Sequence, residues 1–352
     1  MRGKGIHYDT GTFPNGDSSR PVFDPRVVER EMRVIADELH CTAVRVTGGD
    51  PDRIDIAARH AAAAGLEVWY SPFPCEMTDE EMLPFLVDCA ERAERLRRDG
   101  AGVRLITGCE LSVFARGYLP GDTLNDRIPV LAGPGREAAL AGMPDKVNGF
   151  LHQVVGAVRP VFGGPLGYAS NPLDGVDWTP FDIVGLNHFR SLRNAATYRE
   201  ELREGRAHGK PVAVLEVGCC TFRGAGDLGG AGWYVAMEPD GVTLRPQLVR
   251  DEEEQVRYLD ELLPVFEEEG VDTLFWFSFA GYSFPHRHDP ATGQDLDLAS
   301  YAIVKVLAED GGFPAAGRSR PDLPWEPKAA FHALAARYRA MAEREASASR
   351  RG

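Results

Sequence analysis

Eight short apolar runs recur along the chain with helical patterns between them, and this recurrence constrains the fold more than any other feature. They are residues 5–8 (GIHY), 43–46 (AVRV), 67–71 (EVWYS), 103–108 (VRLITG), 165–169 (PLGYA), 183–187 (IVGLN), 212–216 (VAVLE) and 273–277 (TLFWF). Strands this short and apolar on both faces belong in a parallel sheet covered by helices. Asp24-Pro25 supplies an N-cap and a first-turn proline for a helix through residue 38, and Thr78 to Glu81 read as a capping box before a helix over 82–98. Further helical patterns occupy 51–64, 144–158, 194–208, 250–269 and 298–309, and a last one, 326–345, follows a Pro-rich connection. The spacing predicts a single-domain (β/α)8 barrel over residues 1–346 with a disordered tail at 347–352. A doubly wound open sheet is the alternative, disfavoured by the count of eight and by the lack of an early glycine fingerprint.

Two insertions follow expected strands 4 and 7, at residues 111–144 and 219–249. Both fall at strand C-terminal ends, where barrel proteins build their sites. Gly224 to Gly229 in the second fits G-x-G-x-x-G by letter, but it does not lie between a first strand and a helix. A flexible Gly-rich lid is the better reading. The formal net charge of −14 disfavours nucleic acid or an anionic membrane as partner and suits a neutral or cationic small molecule. Six cysteines in 352 residues, with no CxxC pair, do not make a disulfide framework or a zinc ribbon. No run has the length of a signal peptide or a membrane span, so a cytoplasmic location is expected.

In a barrel, the polar residues at strand C-termini share one mouth. Here these are His7 and Asp9 (strand 1), Arg45 (strand 2), Glu76 after strand 3, Glu110 after strand 4, Asn187 and His188 (strand 6), Glu216 (strand 7), and Trp276 and Ser278 (strand 8). Glu110 and Glu216 end two strands lying roughly opposite in the ring. Paired carboxylates across a pocket, one protonated and one ionised, suit acid/base work on a glycosidic bond. A second reading is a metal-dependent barrel hydrolase centred on His7, Asp9, His188 and His286, the last within the HRHD cluster of His286, His288 and Asp289. A third is a non-catalytic barrel serving in ligand binding or phage defence.

The chain resembles the clan A glycoside hydrolases, retaining enzymes on a (β/α)8 barrel. The likeness rests on GKPVAVLEVG for strand 7, AVRV for strand 2, IVGLNHF for strand 6, FWFSFAGY for strand 8 and EPKAAFHAL for the closing helix. A fainter likeness is to bacterial chains labelled abortive infection protein, a label that specifies no reaction. The clan A resemblance implies a carbohydrate-like substrate and no cofactor or metal, with Glu110 as acid/base and Glu216 as nucleophile. Arg45 would hold Glu216 ionised, and the pKa of Glu216 is therefore expected to be lowered and that of Glu110 raised. The carboxyl separation implied is about 5–5.5 Å. His7, Asp9, Asn187, His188, Trp233 and Trp276 are the expected substrate-binding residues, with Trp276 flooring the sugar site. Two positions depart from the pattern: Cys109 stands where the clan usually has an asparagine that contacts the sugar 2-hydroxyl, and His188 replaces an aromatic hydroxyl.

Overall fold

The computed structural model describes residues 1–349 except 239, 290, 292 and 312–317. All eight expected strands form. They alternate with helices in the order β1 (Gly3–Asp9), α1 (Pro25–Arg33), β2 (Ala43–Gly48), α2 (Pro51–Ala63), β3 (Glu67–Pro72), α3 (Asp79–Arg98) and β4 (Val103–Cys109). Three short helices, α4 (Leu111–Phe114), α5 (Leu124–Ala132) and α6 (Arg136–Leu140), fill the first insertion before α7 (Met143–Val158). Then come β5 (Leu166–Ala169), β6 (Val184–Asn187), α8 (Tyr198–Arg206), β7 (Val212–Val217), α9 (Gly232–Ala236), α10 (Glu252–Glu268) and β8 (Thr273–Trp276). The chain ends with β9 (Val304–Val306), β10 (Trp325–Pro327) and α11 (Ala329–Ser349).

The eight strands form one parallel sheet in the order β5-β4-β3-β2-β1-β8-β7-β6. The ring closes through a single bridge, in which Ser170 N–H donates to the Gly185 carbonyl (3.0 Å) and Asn187 N–H to the Ser170 carbonyl (2.8 Å). The expected single (β/α)8 barrel is therefore the fold.

Side chains sort by strand parity into two cores. Ala43, Trp69, Ile106, Ala169, Ile183, Ala213, Leu215 and Phe275 fill the barrel interior. The opposite parity, including Ile6, Val44, Val68, Leu105 and Val214, packs under the helices. Gly5 makes room for this interior, since a Cβ there would sit 2.6 Å from the Phe275 ring. Glu67 braces the N-terminal end, accepting from Trp69 Nε1 (2.7 Å), Arg104 Nε (2.9 Å) and Arg2 Nη1 (2.9 Å).

The helix signals act where expected. The Asp24 side chain accepts from Arg26 N–H, and Thr78 with Glu81 forms the capping box of α3. The expected helix over 298–309 is not formed. Gln255 Nε2 takes the carbonyls of Tyr301 (3.0 Å) and Ala302 (3.3 Å), and Thr221 Oγ1 takes that of Ser300 (3.0 Å). Those carbonyls are then unavailable for helical bonds, and the β-branched run beyond them pairs antiparallel with β10. Between β5 and β6 the connection is a loop and turns, so seven βα units, not eight, carry a full helix among the described residues. Helix α11 reaches Ser349, past the residue 346 boundary expected for the tail, and residues 350–352 lie outside the described residues.

The glycine-rich turn of the second insertion is packed rather than a free lid. Gly226 N–H donates to Glu254 Oε1 (3.1 Å), and the Gly229 carbonyl accepts from Tyr301 OH (2.8 Å). A Cβ on Gly229 would meet the Arg190 carbonyl at 2.6 Å, so glycine permits the close approach. Among the described residues, no helix is long and apolar enough to cross a membrane.

Candidate active site

Both strand-end glutamates owe their direction to an extra residue in the strand. On β7, Val214 pairs with Leu274 but Val217 pairs with Trp276, so β7 gains one residue on its neighbour. Ala213 and Leu215 face inward and Val214 and Val217 outward, and the bulge turns Glu216 to the inner side directly after Leu215. Strand β4 does the same. Ile106 pairs with Gly167 but Cys109 pairs with Ala169, and Gly108 takes φ +115° in the irregular step. Cys109 thereby joins the interior, and Glu110 follows in the left-handed conformation (φ 45°, ψ 51°) that side chains other than glycine seldom adopt.

The two carboxyls are linked through their neighbours. Arg45 Nη1 donates to Glu216 Oε1 (2.8 Å) and to the Leu215 carbonyl (3.2 Å), while its Nε donates to Ser71 Oγ (3.1 Å). Cys109 Sγ lies 3.7 Å from Glu216 Oε1 and accepts from Asn187 Nδ2 at 3.4 Å. The same Asn187 Nδ2 donates to Glu110 Oε1 (2.8 Å), and Asn171 Nδ2 donates to Glu110 Oε2 (3.3 Å). The side chains that link Glu216 to Glu110 are thus Cys109 and Asn187.

Burial, reinforced by the Glu216 charge, raises the Glu110 pKa to about 8, in the direction expected of an acid. Glu216 departs from expectation. Its pKa is raised, because the burial penalty exceeds the opposing effects of Arg45, Cys109 and Asn187. An arginine three strands away in the ring predicts stabilisation of the anion, but the sequence does not show how completely water is removed around it.

The remaining expected residues divide. His7, paired in register with Arg45, contacts Thr47 Oγ1 through Nε2 (2.8 Å), and its ring centre lies 4.6 Å from that of Phe277. Burial and the Arg45 charge push its pKa well below the ordinary histidine value, leaving a neutral imidazole. Asp9 instead organises the β1–α1 loop, accepting from Gly11 N–H (2.9 Å) and Ser19 Oγ (2.5 Å). His188 is turned onto α8, its ring stacked 4.1 Å from Tyr198 and its Nε2 3.2 Å from the Tyr198 carbonyl.

Trp276 has the outward parity of β8. It packs in the layer under the helices near Tyr258 of α10, so it does not floor a site inside the barrel. Phe277, one residue on, is the β8 aromatic that reaches His7. Trp233 is half-buried on α9 with its backbone N–H donating to Tyr301 OH (3.3 Å) and its ring against Tyr234 and the outer core. His286 is engaged elsewhere, with Asp295 Oδ1 at 2.8 Å and Arg250 Nη2 at 3.3 Å. His7, Asp9, His188 and His286 thus do not converge, and no three His, Cys, Asp or Glu side chains among the described residues gather as metal ligands.

The sequence reading missed Asn171, Ser71, Asp174 and Phe277. SNPLD, residues 170–174, sits at the C-terminal end of β5 and carries two Asx residues around a proline, a signal that places polar groups at the mouth.

No protein-family model matches the chain, and no curated protein matches it. Solved structures do. The GH113 β-mannanase AaManA from Alicyclobacillus acidocaldarius, in complex with ManMIm, is 15% identical, covering 96% of this chain and 97% of that one, with TM-score 0.60. A GH113 β-1,4-mannanase complex is 12% identical over 96% of this chain and 99% of that one, TM-score 0.58. ZgEngAGH5_4 in complex with a cellotriose is 12% identical over 94% of each chain, TM-score 0.50. The barrel is one shared with glycoside hydrolases. The likeness covers nearly the whole of this chain and of these neighbours.

Proposed function

We propose that this protein is a retaining glycoside hydrolase or transglycosidase acting on a small glycoside, with Glu216 as nucleophile and Glu110 as acid/base. The observation that carries the reading is that separate bulges turn two strand-end glutamates into the barrel, where Asn187 and Cys109 join them. The shared fold with GH113 and GH5 enzymes supports the same class of chemistry.

In the first step a carboxylate oxygen of Glu216 forms a bond to the anomeric carbon. The bond to the leaving oxygen breaks, and that oxygen takes the Glu110 proton. In the second, water or an acceptor hydroxyl gives its proton to Glu110 and bonds to the anomeric carbon, releasing Glu216 as carboxylate. Burial of Glu110 keeps it protonated near neutrality, as the first step requires. Arg45 and Cys109 oppose the burial penalty on Glu216 and hold the oxygen that must be ionised.

A panel of mechanism-based fluorosugars followed by intact mass tests the assignment. The expected result is one covalent glycosyl adduct that maps to Glu216 and is absent from Glu216→Gln. An adduct that persists in that variant, or maps to another residue, overturns the nucleophile.

On a turned-over substrate, kcat/KM is expected to be bell-shaped in pH. Activity falls above about 8 as Glu110 loses its proton, and falls on the acid side at a pH above the ordinary glutamate value, as Glu216 gains one. The two limbs belong to the coupled pair, so Glu216→Gln, which removes the neighbouring charge, lowers the Glu110 titration. A flat profile between pH 5 and 9 would contradict this division of roles.

A further inference from the structure

Asp174 is fully buried one turn beyond β5 and is not needed to hold the nucleophile. Its Oδ1 accepts from Ser112 N–H (3.1 Å), and its Oδ2 accepts from Asn171 N–H (3.1 Å) and Tyr168 OH (3.0 Å). The Tyr168 oxygen in turn accepts from Leu111 N–H (2.7 Å). The two backbone amides that follow Glu110 are therefore both anchored to this one carboxylate, one directly and one through a phenol. Asn171, whose backbone it also holds, bridges from Glu110 Oε2 to Ser112 Oγ (3.3 Å each). Glu110 sits in a left-handed conformation, which a non-glycine residue keeps only where its surroundings over-determine it.

We infer that Asp174 is a positioning residue for Glu110, fixing the turn that carries it through Tyr168, Ser112 and Asn171 and adding a buried negative charge that favours the protonated acid. The inference rests on the acid role proposed for Glu110. The other ionisable groups facing the unit are Glu216 of β7 with Arg45 of β2 behind it, Cys109 of β4, Tyr168 of β5, and Tyr118 beyond α4. Of these, Glu216 and Asp174 are the ones that push Glu110 toward its neutral form by charge. Asp174 itself is raised to about 6 by burial, so at neutral pH it is predominantly anionic.

The test is a 13C carboxyl NMR titration of the full chain labelled at glutamate, with the Glu110 resonance assigned by its loss in Glu110→Gln. It needs no substrate. The wild-type midpoint is expected near 8, with Asp174→Asn lowering it by about one unit. Such a shift cuts the protonated fraction at pH 8 from about one half to about one eleventh. Tyr168→Phe is expected to act in the same direction by a smaller amount. It cuts the link from Asp174 to the Leu111 N–H and so loosens the turn that holds Glu110 in its buried position, easing the burial that raises it.

If Asp174→Asn fails to fold, Tyr168→Phe decides the question alone. An elevated wild-type midpoint left unmoved by every folded variant sinks the role of Asp174 but not the acid assignment. A wild-type Glu110 in the ordinary carboxylate range sinks both.

Discussion

Replacing Glu216 by glutamine is expected to lower kcat/KM on the order of 10⁴-fold or more, because the amide has no charge with which to attack the anomeric carbon. The substitution keeps the side chain's shape and an oxygen that can still accept from Arg45 Nη1, now 2.8 Å from the carboxylate. The fold is therefore retained while the chemistry is lost, and circular dichroism with thermal melting separates the two. With the glutamate charge gone, the Glu110 pKa falls from about 8, since only burial and the Asp174 charge then raise it. A small nucleophile such as azide, supplied with an activated glycoside, should restore part of the rate by attacking where Glu216 cannot. A glutamine variant within tenfold of wild type would remove Glu216 from the reaction.

Replacing Arg45 by leucine has the largest expected effect on stability. Arg45 is fully buried, and its partner Glu216 is nearly so. Removing one member of such a pair leaves an uncompensated charge and costs about 3–5 kcal/mol. The sign with pH follows from the direction of the Glu216 shift. Burial already raises its folded pKa above the unfolded value, and losing Arg45 raises it further. A group raised in this way contributes stability in full below its unfolded pKa and loses it as pH rises through the folded one. The loss in the variant is therefore greatest at neutral and alkaline pH and shrinks on acidification. Urea unfolding at pH 5 and pH 8 reads the difference, and Arg45→Leu with Glu216→Gln should recover stability at pH 8. Equal destabilisation at both pH values would show that packing, rather than charge, sets the cost.

The strands were legible because their signal is local. Apolar runs four to seven residues long, bounded by turns, mark buried parallel strands in sequence as well as in space. The carboxylate pair was legible for the same reason, since each glutamate ends such a run. What escaped depends on phase and on distant partners. Trp276 and Phe277 are adjacent, and only the strand's register decides which faces His7 and which lies under α10. His188 and Asp9 sit at strand ends as expected, yet nearby Tyr198 and Ser19 take their polar atoms. The segment 298–309 reads as helical by pattern, but Gln255 and Thr221, remote in sequence, take its carbonyls. Asn171 and Asp174 were passed over because a loop carries no periodicity. Their meaning arises only when β5 and β4 lie side by side.

The closure of the ring also bears on Glu110. Most neighbouring staves are paired along several residues, whereas β5 and β6 share one bridge, Ser170 with Leu186, besides the Asp182 and Ile183 N–H groups that donate to the Leu166 carbonyl (2.9 and 3.1 Å). Asn171 stands on one lip of this seam and Asn187 on the other, each grasping a different oxygen of Glu110. The carboxyl is thus a clasp laid across the least regularly paired join in the wall. Parting the two lips would pull on both oxygens of Glu110 at once. The closure of the wall and the placing of the Glu110 carboxyl meet at one place in this barrel.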